Sequence, residues 1–363
     1  MPALSEFTMD DVPIDDALRQ ALPLLEGYGD AMVAYALIRT GLANALAAGE
    51  KSECDLITEF AAAYPPGLLK GLIRHALGAG LATKRASQIT GTERLRAVVA
   101  SAGWFRLLIG GYGPTLLAMA EPERDPAPNQ LTCKGNDMDL PRNLQEVKVG
   151  SCMMSSYGAF PAVCDMLDTF ACPTPPIVLD VGCGDGSLGP FLKRRGSQLR
   201  YVGIEDPRVI PSEPLRASSG PDSTGGESGI ARVSLKDYVA GLAQDERCVI
   251  VLSFVLHEIL AQHGEGPLRE LLSGFAQDPR IVGLVIVEVD PAPTNARLQD
   301  STSGRGYYNL YYLIHDITKQ RLMPRAFWER LFADCGFNLL DVEHISEKAD
   351  PLRLEIVFLL ERG

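Results

Sequence analysis

Several features that mark particular classes of protein are absent from this sequence. Its eight cysteines are scattered, and no two are spaced as C-x-x-C (positions 54, 133, 152, 164, 172, 183, 248 and 335). That spacing excludes a disulfide framework and suits a reducing cytosol. No apolar run approaches the ~20 residues that a membrane-spanning helix needs, and the acidic N-terminus lacks the basic segment that begins a signal peptide. We therefore expect a cytoplasmic protein without a membrane partner.

Positive charge is also scarce. Lys and Arg number 34 against 46 Asp and Glu, which gives a formal net charge of −12. Nucleic acids and anionic membranes attract proteins through clustered Lys and Arg, so this balance disfavours both as partners. Apolar residues are plentiful, at 46% of 363 residues. A chain of this length and composition is expected to fold into about two globular domains.

The most informative stretch runs from Ile177 to Gly189. Apolar residues interrupted by Asp180 predict a buried strand, the glycines at 182, 184 and 186 predict a turn, and the residues after them predict the start of a helix. Glycine is needed where the backbone adopts unusual φ/ψ values or approaches a ligand closely. A strand, a glycine turn and a helix start together form a nucleotide cradle at the carboxyl edge of a parallel sheet.

The spacing Asp-x-Gly-x-Gly-x-Gly, which begins at Asp180, resembles motif I of the Rossmann-like methyltransferases that use S-adenosylmethionine. The methionine half of that ligand is zwitterionic, so a carboxylate at Asp180 can face its ammonium group. A second predicted strand, from Tyr201, ends at Glu205, where a carboxylate that binds the ribose hydroxyls is expected. The resemblance implies an S-adenosylmethionine site formed by Asp180, Gly182, Gly184, Glu205, Ser253 and Tyr157.

The N-terminal third precedes this motif. Residues 14–48 have helical periodicity, and Pro23 and several glycines are predicted to divide them into shorter helices. Ser52 is a predicted helix cap, and Pro65-Pro66 starts a further helix. Two short strands follow, at 81–84 and 88–91. Two helices and a hairpin are typical of a winged helix.

A winged helix can bind DNA, with Lys70, Arg74 and His75 on its second helix as the candidate contacts. Three basic groups do not make a basic face in so acidic a protein, so we favour a packing role. The segments Tyr-Ala-Leu-Ile-Arg-Thr-Gly-Leu-Ala-Asn-Ala-Leu and Leu-Ile-Arg-His-Ala-Leu-Gly-Ala-Gly-Leu resemble the dimerisation domain of small-molecule O-methyltransferases. That resemblance implies a homodimer.

We predict an α/β fold in two domains. Residues 1–143 form a helical winged-helix dimerisation domain, whose last part, 121–143, is a connection rich in Pro, Asp and Asn. Residues 144–363 form a Rossmann-like methyltransferase domain. The resemblance implies a seven-stranded sheet whose last two strands form a hairpin. One helix is predicted from Leu144 to Phe170, and in the resembled family it closes over the cofactor. Residues 211–229, rich in Ser, Gly and Pro, are predicted to be a surface insertion.

A second group of residues lies near the ends of the fourth and fifth predicted strands of this domain. His257 and Glu258 follow the fourth strand, and His315 comes after the fifth. Three interpretations stay open. In the first, both histidines are hydrogen-bonded core residues. In the second, His257 is a general base for a substrate hydroxyl and no metal is needed, as in the resembled O-methyltransferases. In the third, His257, Glu258 and His315 hold one transition metal ion, iron or zinc.

A histidine and an acid at strand four, then a histidine ahead of Arg325-Ala-Phe-Trp-Glu-Arg-Leu-Phe, resemble the C-methyltransferases of 2-oxo acids, which include the phenylpyruvate, 2-ketoarginine and 2-ketoisocaproate β-methyltransferases. The resemblance implies C3-methylation of a 2-oxo acid through a metal-chelated enolate, in the biosynthesis of β-methyl amino acids or natural products. It implies His257, Glu258 and His315 as the catalytic residues and metal ligands.

Several assignments remain alternatives within that hypothesis. Asp316 can take the place of Glu258 as the carboxylate ligand, and Glu288 or Asp290 is expected to orient one imidazole. Three cations are candidates to meet the carboxylate of the substrate: Arg142, Lys148 and Arg305. The substrate side chain stays open among guanidino, aromatic and branched aliphatic types. Outside enzymology, a DNA-binding regulator that senses a small ligand is the remote alternative.

Overall fold

The computed structural model describes residues 14–119, 141–170, 174–205, 229–231, 235–243, 245–291 and 299–363. The chain divides into two compact units between Gly110 and Gly111. Most of the predicted connection at 121–143 and of the predicted insertion at 211–229 lies outside the described residues, as do Cys133 and Cys172.

The division between the units comes earlier than the boundary expected from the sequence at residue 143. Two hydrogen bonds explain why residues 111–118 belong with the second unit. The Asn143 N–H donates to the carbonyl of Gly111 at 2.9 Å, and the Thr115 hydroxyl donates to the carbonyl of Pro141 at 2.7 Å.

Helices α1 (Ile14–Thr40) and α2 (Leu42–Ala48) open the first unit. Gly41 separates them with a left-handed φ of +83°. Pro23 lies inside α1 and does not end it, so the prediction that Pro23 divides this segment is wrong. A proline removes one backbone hydrogen bond, and here the neighbouring turns, rich in Leu and Ala, keep the helix continuous.

Two more helices and a small antiparallel sheet complete the core of the first unit. Ser52 caps α3 (Glu53–Phe60) by accepting a hydrogen bond from the N–H of Asp55. Helix α4 (Pro66–Gly78) begins at a proline, as predicted. The sheet has the order β1-β3-β2, with β1 at Lys51–Ser52, β2 at Ala82–Arg85 and β3 at Gln88–Gly91. Helices α5 (Glu93–Ala100) and α6 (Ala102–Phe105) follow.

A seven-stranded sheet forms the centre of the second unit, in the order β6-β5-β4-β7-β8-β10-β9. The first five strands of this order are parallel, and β10 is antiparallel to both of its neighbours. The predicted α/β fold, with seven strands ending in a hairpin, is confirmed. The strands are β4 (Ile177–Val181), β5 (Tyr201–Ile204), β6 (Gly229–Ala231), β7 (Cys248–Ser253), β8 (Ile281–Val289), β9 (Phe337–His344) and β10 (Glu355–Arg362).

Helices connect and cover these strands. The helix predicted from Leu144 to Phe170 is two helices, because Gly158 leaves the helical region with ψ −92°, and glycine is a weak helix former. Among the described residues, a π-helical turn spans the division between the units at Arg106–Gly111, and another lies in the second unit at Gly304–Tyr308. The α-helices of this unit are α7 (Gly113–Ala118), α8 (Leu144–Ser155), α9 (Ala159–Asp168), α10 (Leu188–Arg194), α11 (Leu235–Ala240), α12 (Leu256–His263), α13 (Glu265–Gln277), α14 (Asn309–Ile317) and α15 (Arg325–Asp334).

Both faces of the large sheet are packed, so its central strands are apolar almost throughout. One face carries a cluster that includes Leu179, Ile250, Ile286, Trp328 and Phe358. The other carries a cluster that includes Phe160, Val178, Val249, Val285 and Val357. Polar side chains in these strands are therefore concentrated near the carboxyl ends of the parallel strands, where the candidate site lies.

Two further predictions concern absences. The six cysteines within the described ranges are free thiols, as their spacing predicts. Across the same ranges no single helix is long and apolar enough to cross a membrane. Residues 18–40 and 42–48 pass a test of length and composition only as a pair, and that pair is bent by 83°.

Candidate cofactor and catalytic site

The site lies where the strand order of the large sheet reverses. Strands β4 and β7 are neighbours there, although two strands separate them along the chain. The connections that leave such a pair of parallel strands diverge to opposite sides and open a crevice at the carboxyl edge of the sheet. The glycine turn follows β4, and the segment from Ser253 to Glu258 follows β7. The two groups identified in the sequence are therefore at the same edge.

The turn after β4 requires glycine for two separate reasons. Gly182 and Gly184 have φ values of +75° and +62°, in the left-handed region that strains other residues. A Cβ at Gly182 would lie 2.7 Å from Val255, and one at Gly184 would lie 2.9 Å from the Sγ atom of Cys152. Helix α8, which carries Cys152, thus packs directly on the turn, as expected for a helix that covers a cofactor.

Asp180 is buried at the end of β4, with 4% of its surface exposed. The hydroxyl of Tyr201 donates to its Oδ2 at 2.8 Å. Burial raises the pKa of Asp180 to about 7, against the hydrogen bond from Tyr201, and the charges of Glu205 and Asp185 raise it further. A cation beside Asp180 would restore the ionised form, because an opposite charge nearby stabilises a carboxylate.

Glu205 follows β5 and lies beside the glycine turn. Its Oε2 accepts a hydrogen bond from the N–H of Gly184 at 2.9 Å, and the Lys148 ammonium lies 3.5 Å from the same oxygen. Lys148 is thus at the cofactor end of the site. At the end of β7, the Ser253 hydroxyl is buried and has no hydrogen-bond partner among the described residues. A glycine cradle with a nearby acid and an unpaired buried hydroxyl fits an adenosine-containing ligand.

His257 is held by a carboxylate from the neighbouring strand. The Nδ1 atom of its ring lies 2.8 Å from Oε2 of Glu288, while Oε1 of Glu288 accepts the backbone N–H groups of Leu256 and His257 at 2.8 and 3.2 Å. We assign the proton to Nδ1 because its neighbour is a carboxylate, which leaves a lone pair on Nε2. Phe254 turns the chain into this position with a φ of +58°.

The Nδ1 atom of His315 also has an acceptor, which is a backbone carbonyl instead of a carboxylate. Its Nδ1 lies 2.8 Å from the carbonyl oxygen of Tyr311, one turn earlier in α14. A carbonyl only accepts, so Nδ1 carries the proton and Nε2 again holds a lone pair. The rings of His257 and His315 are 5.6 Å apart between centroids. The tertiary structure therefore brings together two histidines that are far apart in sequence.

The two imidazoles differ in their affinity for a proton. Burial lowers the pKa of His257, but the Glu288 carboxylate outweighs that effect by charge and hydrogen bonding, and the pKa of His257 is raised overall. Burial lowers the pKa of His315 to about 3, and a charge on His257 lowers it further. His315 is therefore neutral over the whole physiological range, and His257 is the first of the pair to gain a proton as the pH falls.

Glu258 is the third member of the predicted metal triad, and its carboxylate has other partners. Its Oε1 accepts hydrogen bonds from Arg142 at 3.3 Å and from Gln320 at 3.1 Å. Asp316, the alternative ligand, is exposed. Within the described ranges no three His, Cys, Asp or Glu side chains are grouped so as to hold a metal ion. Two of the three predicted ligands, the imidazoles of His257 and His315, have the donor chemistry for a transition metal. The third, Glu258, is bonded to Arg142 and Gln320 instead.

The three cations suggested for the substrate carboxylate are in different places. Arg142 is buried at 8% exposure and contacts Glu258 and the hydroxyl of Tyr112. Its charge also lowers the pKa values of both histidines, after the larger effects described above. Arg305 is exposed and donates to the carbonyl of Gln299. Of the three, Arg142 is the cation beside the histidine pair.

Three tyrosines continue from His315 in what we call the tyrosine row: Tyr311, Tyr307 and Tyr308. The ring of Tyr311 lies 4.0 Å from that of His315, Tyr307 lies 5.7 Å from Tyr311, and Tyr308 lies 4.9 Å from Tyr307. The π-helical turn Gly304–Tyr308 places the last two. Such turns are frequent at functional sites.

Tyr157, a predicted cofactor contact, lies in the break between α8 and α9 and is 41% exposed. Its hydroxyl is among the groups that raise the pKa of Tyr307, after burial and Glu355. Tyr157 is therefore near the tyrosine row. Glu355 was not identified from the sequence. The available signal was an acid at the start of β10, directly before the apolar run 356–360.

Known proteins are similar to this chain in sequence or in fold. No protein-family model matches the chain. A 2-ketoarginine methyltransferase of Streptomyces arginensis is 28% identical to it over 352 residues, which are 95% of this chain and 96% of that protein. The similarity therefore spans both units and nearly all of each protein.

Solved structures share the fold at lower identity. N,N-8-amino-8-demethyl-D-riboflavin dimethyltransferase (RosA) from Streptomyces davawensis has a TM-score of 0.55 at 18% identity, over 97% of this chain and 100% of that one. CalO1, a methyltransferase in calicheamicin biosynthesis seen in its SAH-bound form, has a TM-score of 0.52 at 16% identity over the same shares. In fold, glycine turn and whole-length sequence the chain is similar to class I S-adenosylmethionine-dependent methyltransferases, and it resembles the 2-oxo acid methyltransferases among them.

Proposed function

We propose that the protein methylates C3 of a 2-oxo acid, using S-adenosylmethionine as methyl donor and an enolate of the substrate as nucleophile. The observation that carries this proposal is the histidine pair. His257 and His315 lie with their rings 5.6 Å apart, and each has its Nδ1 engaged, by Glu288 and by the Tyr311 carbonyl. An acceptor on one nitrogen is the usual support for a histidine that binds a metal through the other.

The cofactor would be held at the glycine turn. Asp180 would face the ammonium group of the methionine part, and that positive charge would stabilise the ionised form of its buried carboxyl. Glu205, already fixed to the Gly184 N–H, would accept the ribose hydroxyls. The unpaired hydroxyl of Ser253 would gain a partner. Tyr157, beside the tyrosine row, would contact the donor from the substrate side.

The substrate would lie between the histidine pair and the tyrosine row. Arg142 is the buried cation at this position, and its present partner Glu258 is a carboxylate. A guanidinium can bind a carboxylate of the substrate through two parallel N–H donors. We propose that Arg142 exchanges Glu258 for the substrate carboxylate, which releases Glu258 from one of its two hydrogen bonds.

A metal ion belongs to this proposal, with His257, His315 and the released Glu258 as its ligands. The fit at the imidazoles is good, because both are buried and both expose a lone pair on Nε2, whereas Glu258 would have to change partners. When bound, the ion would act as a Lewis acid beside the ketone oxygen and make the neighbouring C–H more acidic. Iron and zinc both accept this ligand set.

The chain's own groups perform the remaining tasks. The C3–H bond of the substrate would break with its proton passing to solvent, and the electron pair left on C3 would attack the sulfonium methyl group in line. The bond between the methyl carbon and sulfur breaks, its electron pair stays on sulfur, and S-adenosylhomocysteine leaves as a neutral thioether. Burial of His257 and His315 at 4% and 5% exposure holds both rings in place during transfer.

One contact favours a second candidate function, O-methylation without a metal. His257 with its Nδ1 on Glu288 and its Nε2 lone pair is also the arrangement of a general base oriented by a carboxylate. A hydroxyl needs only deprotonation and alignment. In that case His315 would have no part in the chemistry, and this difference separates the two candidates.

The assembly is also a proposal. Helix α1 presents apolar side chains with large exposed fractions, including Leu22 at 51%, Leu24 at 78%, Leu25 at 65% and Tyr28 at 60%. A contiguous apolar surface of this kind marks an interaction site. We propose that α1 contributes to a homodimer in the cytoplasm.

Deuterium exchange at C3 of a 2-oxo acid tests the proposed function directly. The purified protein is incubated with the 2-oxo acid in heavy water without the methyl donor, and exchange at C3 is followed by NMR. We expect exchange that depends on added iron or zinc and is lost in His257→Ala and His315→Ala. Methyl transfer to a phenol or alcohol with no exchange at C3 would favour the O-methylation candidate instead.

A further inference from the structure

Glu355 is an acid at the site edge of the sheet that no step above uses. It is the first residue of β10 and pairs with Val289, the last residue of β8. The next pair along these two strands is Ile356 with Glu288. Its backbone N–H donates to Asp350. Its carboxyl has no hydrogen-bond donor or cation beside it among the described residues, and the residue is half-buried.

Asp350 connects Glu355 to the tyrosine row, because its carboxylate accepts the hydroxyl of Tyr308 at 2.7 Å and the backbone N–H of Glu355 at 2.8 Å. After burial, the charge of Glu355 is a leading cause of the raised pKa values of Tyr307 and Tyr308, and it also affects Tyr311. The row connects Glu355 to the catalytic end, because Tyr311 stacks 4.0 Å from His315. A substrate whose oxo-acid end lies at the histidine pair would therefore extend along the tyrosines toward Glu355.

An unpaired carboxylate in such a place is costly. Removing an ionised carboxyl from water without a partner costs several kcal/mol, so a protein either keeps the group neutral or supplies an opposite charge. Asp350, the nearest other acid, is already saturated by the Tyr308 hydroxyl and by the backbone N–H groups of residues 352, 354 and 355. It cannot serve as a partner for Glu355, and its charge adds to the cost.

We propose that Glu355 is a specificity-determining residue that receives the guanidinium group at the end of the substrate's side chain. This inference rests on the proposed function and narrows its substrate to a 2-oxo acid with a cationic side chain. A guanidinium donates two parallel hydrogen bonds to one carboxylate and stacks on aromatic faces. An aromatic or branched aliphatic side chain would instead leave Glu355 without a partner in a desolvated site.

The protonation of Glu355 in the free protein agrees with this role. Burial, together with the charge of Asp350, raises the pKa of Glu355 to about 8. The other groups that face it are the hydroxyls of Tyr307, Tyr308 and Tyr311, which are neutral at that pH. Binding of a guanidinium would ionise the carboxyl and release a proton to the buffer, because an opposite charge nearby lowers the pKa of an acid.

Two near-isosteric substrates test the inference: 5-guanidino-2-oxopentanoate and 5-ureido-2-oxopentanoate, which differ in charge and hardly in shape. The readout is the ratio of their kcat/KM values, with calorimetric binding of each compound in the presence of S-adenosylhomocysteine as a second measurement. We expect the native protein to prefer the guanidino compound by about tenfold or more, the scale of one charge-assisted hydrogen bond. In Glu355→Gln that ratio should fall by at least about tenfold.

Matched variants keep the outcome interpretable. Glu361→Gln changes an exposed acid at the other end of the same strand and should leave the ratio as it is. Glu355→Asp retains the charge and should keep part of the preference for the guanidino compound. It provides the test if Glu355→Gln folds poorly. Equal use of both compounds by the native protein, or an unchanged ratio in both Glu355 variants, overturns this inference and leaves the proposed function standing. If neither compound is used but an aromatic or branched aliphatic 2-oxo acid is, the inference fails and the proposed function stands. If no 2-oxo acid undergoes C3 exchange or methylation, both fail.

Discussion

The carboxylate of Glu288 contacts both the side chain and the backbone of His257. Oε2 lies 2.8 Å from the ring Nδ1, and Oε1 accepts the backbone N–H of the same residue at 3.2 Å. One acid at the end of β8 therefore fixes the ring orientation and also satisfies the first turn of α12. Because negative charge is favourable at a helix N-terminus, the same contact stabilises the fold and prepares the imidazole.

Replacement of Glu288 should separate these two effects. Glu288→Gln keeps an acceptor for the backbone but places an amide on His257, so turnover should fall by about 10- to 100-fold with little loss of stability. Glu288→Ala leaves buried N–H groups unsatisfied and should in addition lower the free energy of unfolding by about 2–4 kcal/mol. Steady-state kinetics and urea unfolding measure the two effects. Glu270→Gln, on the exposed side of α13, is the control; equal turnover in native protein and Glu288→Gln would contradict the role.

Replacement of His315 tests the metal. His315→Ala removes one of the two imidazoles whose Nδ1 atoms are engaged, so bound metal and turnover should both be lost, while affinity for S-adenosylmethionine changes less than about twofold. Metal analysis, kinetics and calorimetry provide the three readouts. The metal-free O-methyltransferase alternative predicts a mild effect of this variant and no effect of chelators. Full methylation of a 2-oxo acid by exhaustively chelated protein would falsify the metal triad.

Affinity for the cofactor should depend on Glu205. Its carboxylate lies at the glycine turn on the N–H of Gly184, and we expect it to accept the ribose hydroxyls at roughly 1.5–3 kcal/mol for each charge-assisted bond. Glu205→Ala should therefore weaken S-adenosylmethionine binding at least about tenfold in calorimetry. Glu343→Ala, an exposed acid on β9, is the control. Unchanged affinity in Glu205→Ala would remove this residue from the site.

Glu355 should make the stability of the protein depend on pH. The pKa of this acid is raised from 4.5 to about 8 in the folded protein, so the folded state binds more protons than the unfolded state between those values. Its favourable contribution is complete below pH 4.5 and is lost as the pH rises through about 8. Between pH 6 and pH 9 the native protein should lose about 1–3 kcal/mol more than Glu355→Gln does. Urea unfolding at both pH values measures the difference, and parallel pH profiles would contradict the burial of this acid.

Assembly should depend on the apolar surface of α1. We expect a dimer by light scattering at micromolar concentration, and Leu24→Asp with Leu25→Asp should convert it to a monomer. Both side chains are largely exposed in the single chain, so the changes should not disturb the folded unit itself. Matched changes at the exposed residues Glu26 and Arg19 are the control. A monomer with the N-terminal region intact would rule out the proposed dimer.

The order of elements was well determined by local sequence. A strand followed by Gly182, Gly184 and Gly186 requires positive φ values that few other residues tolerate, and the apolar strands around it have no alternative to burial. Local pattern was a poorer guide to helix continuity. Pro23 was expected to end a helix and does not, while Gly158 ends one that was expected to continue. At Pro23 the neighbouring turns outweigh a propensity of about 3 kcal/mol, whereas at Gly158 the low helix propensity of glycine, about 1 kcal/mol, agrees with the break.

Sequence motifs identified the residues near the cofactor because each lies a fixed number of residues after a strand. Asp180 and Glu205 follow β4 and β5 directly, and parallel strands end at one edge. The contact of Glu288 with His257 was one of two options from the sequence, since Glu288 and Asp290 are two positions apart on the same strand. Glu355 could not be found in this way, because a single acid at a strand end has no local pattern.

The sequence by itself determined that this chain forms an α/β sheet with a glycine turn suited to S-adenosylmethionine. Tertiary structure alone decided which polar groups meet: His257 with His315, Glu258 with Arg142 rather than with the histidines, and Glu355 with the tyrosine row. The physical reason is that strand and turn formation depend on nearby residues and backbone sterics. Charge and hydrogen-bond pairing between residues 44 to 116 positions apart depends on sheet order and helix packing, which no short window of sequence contains.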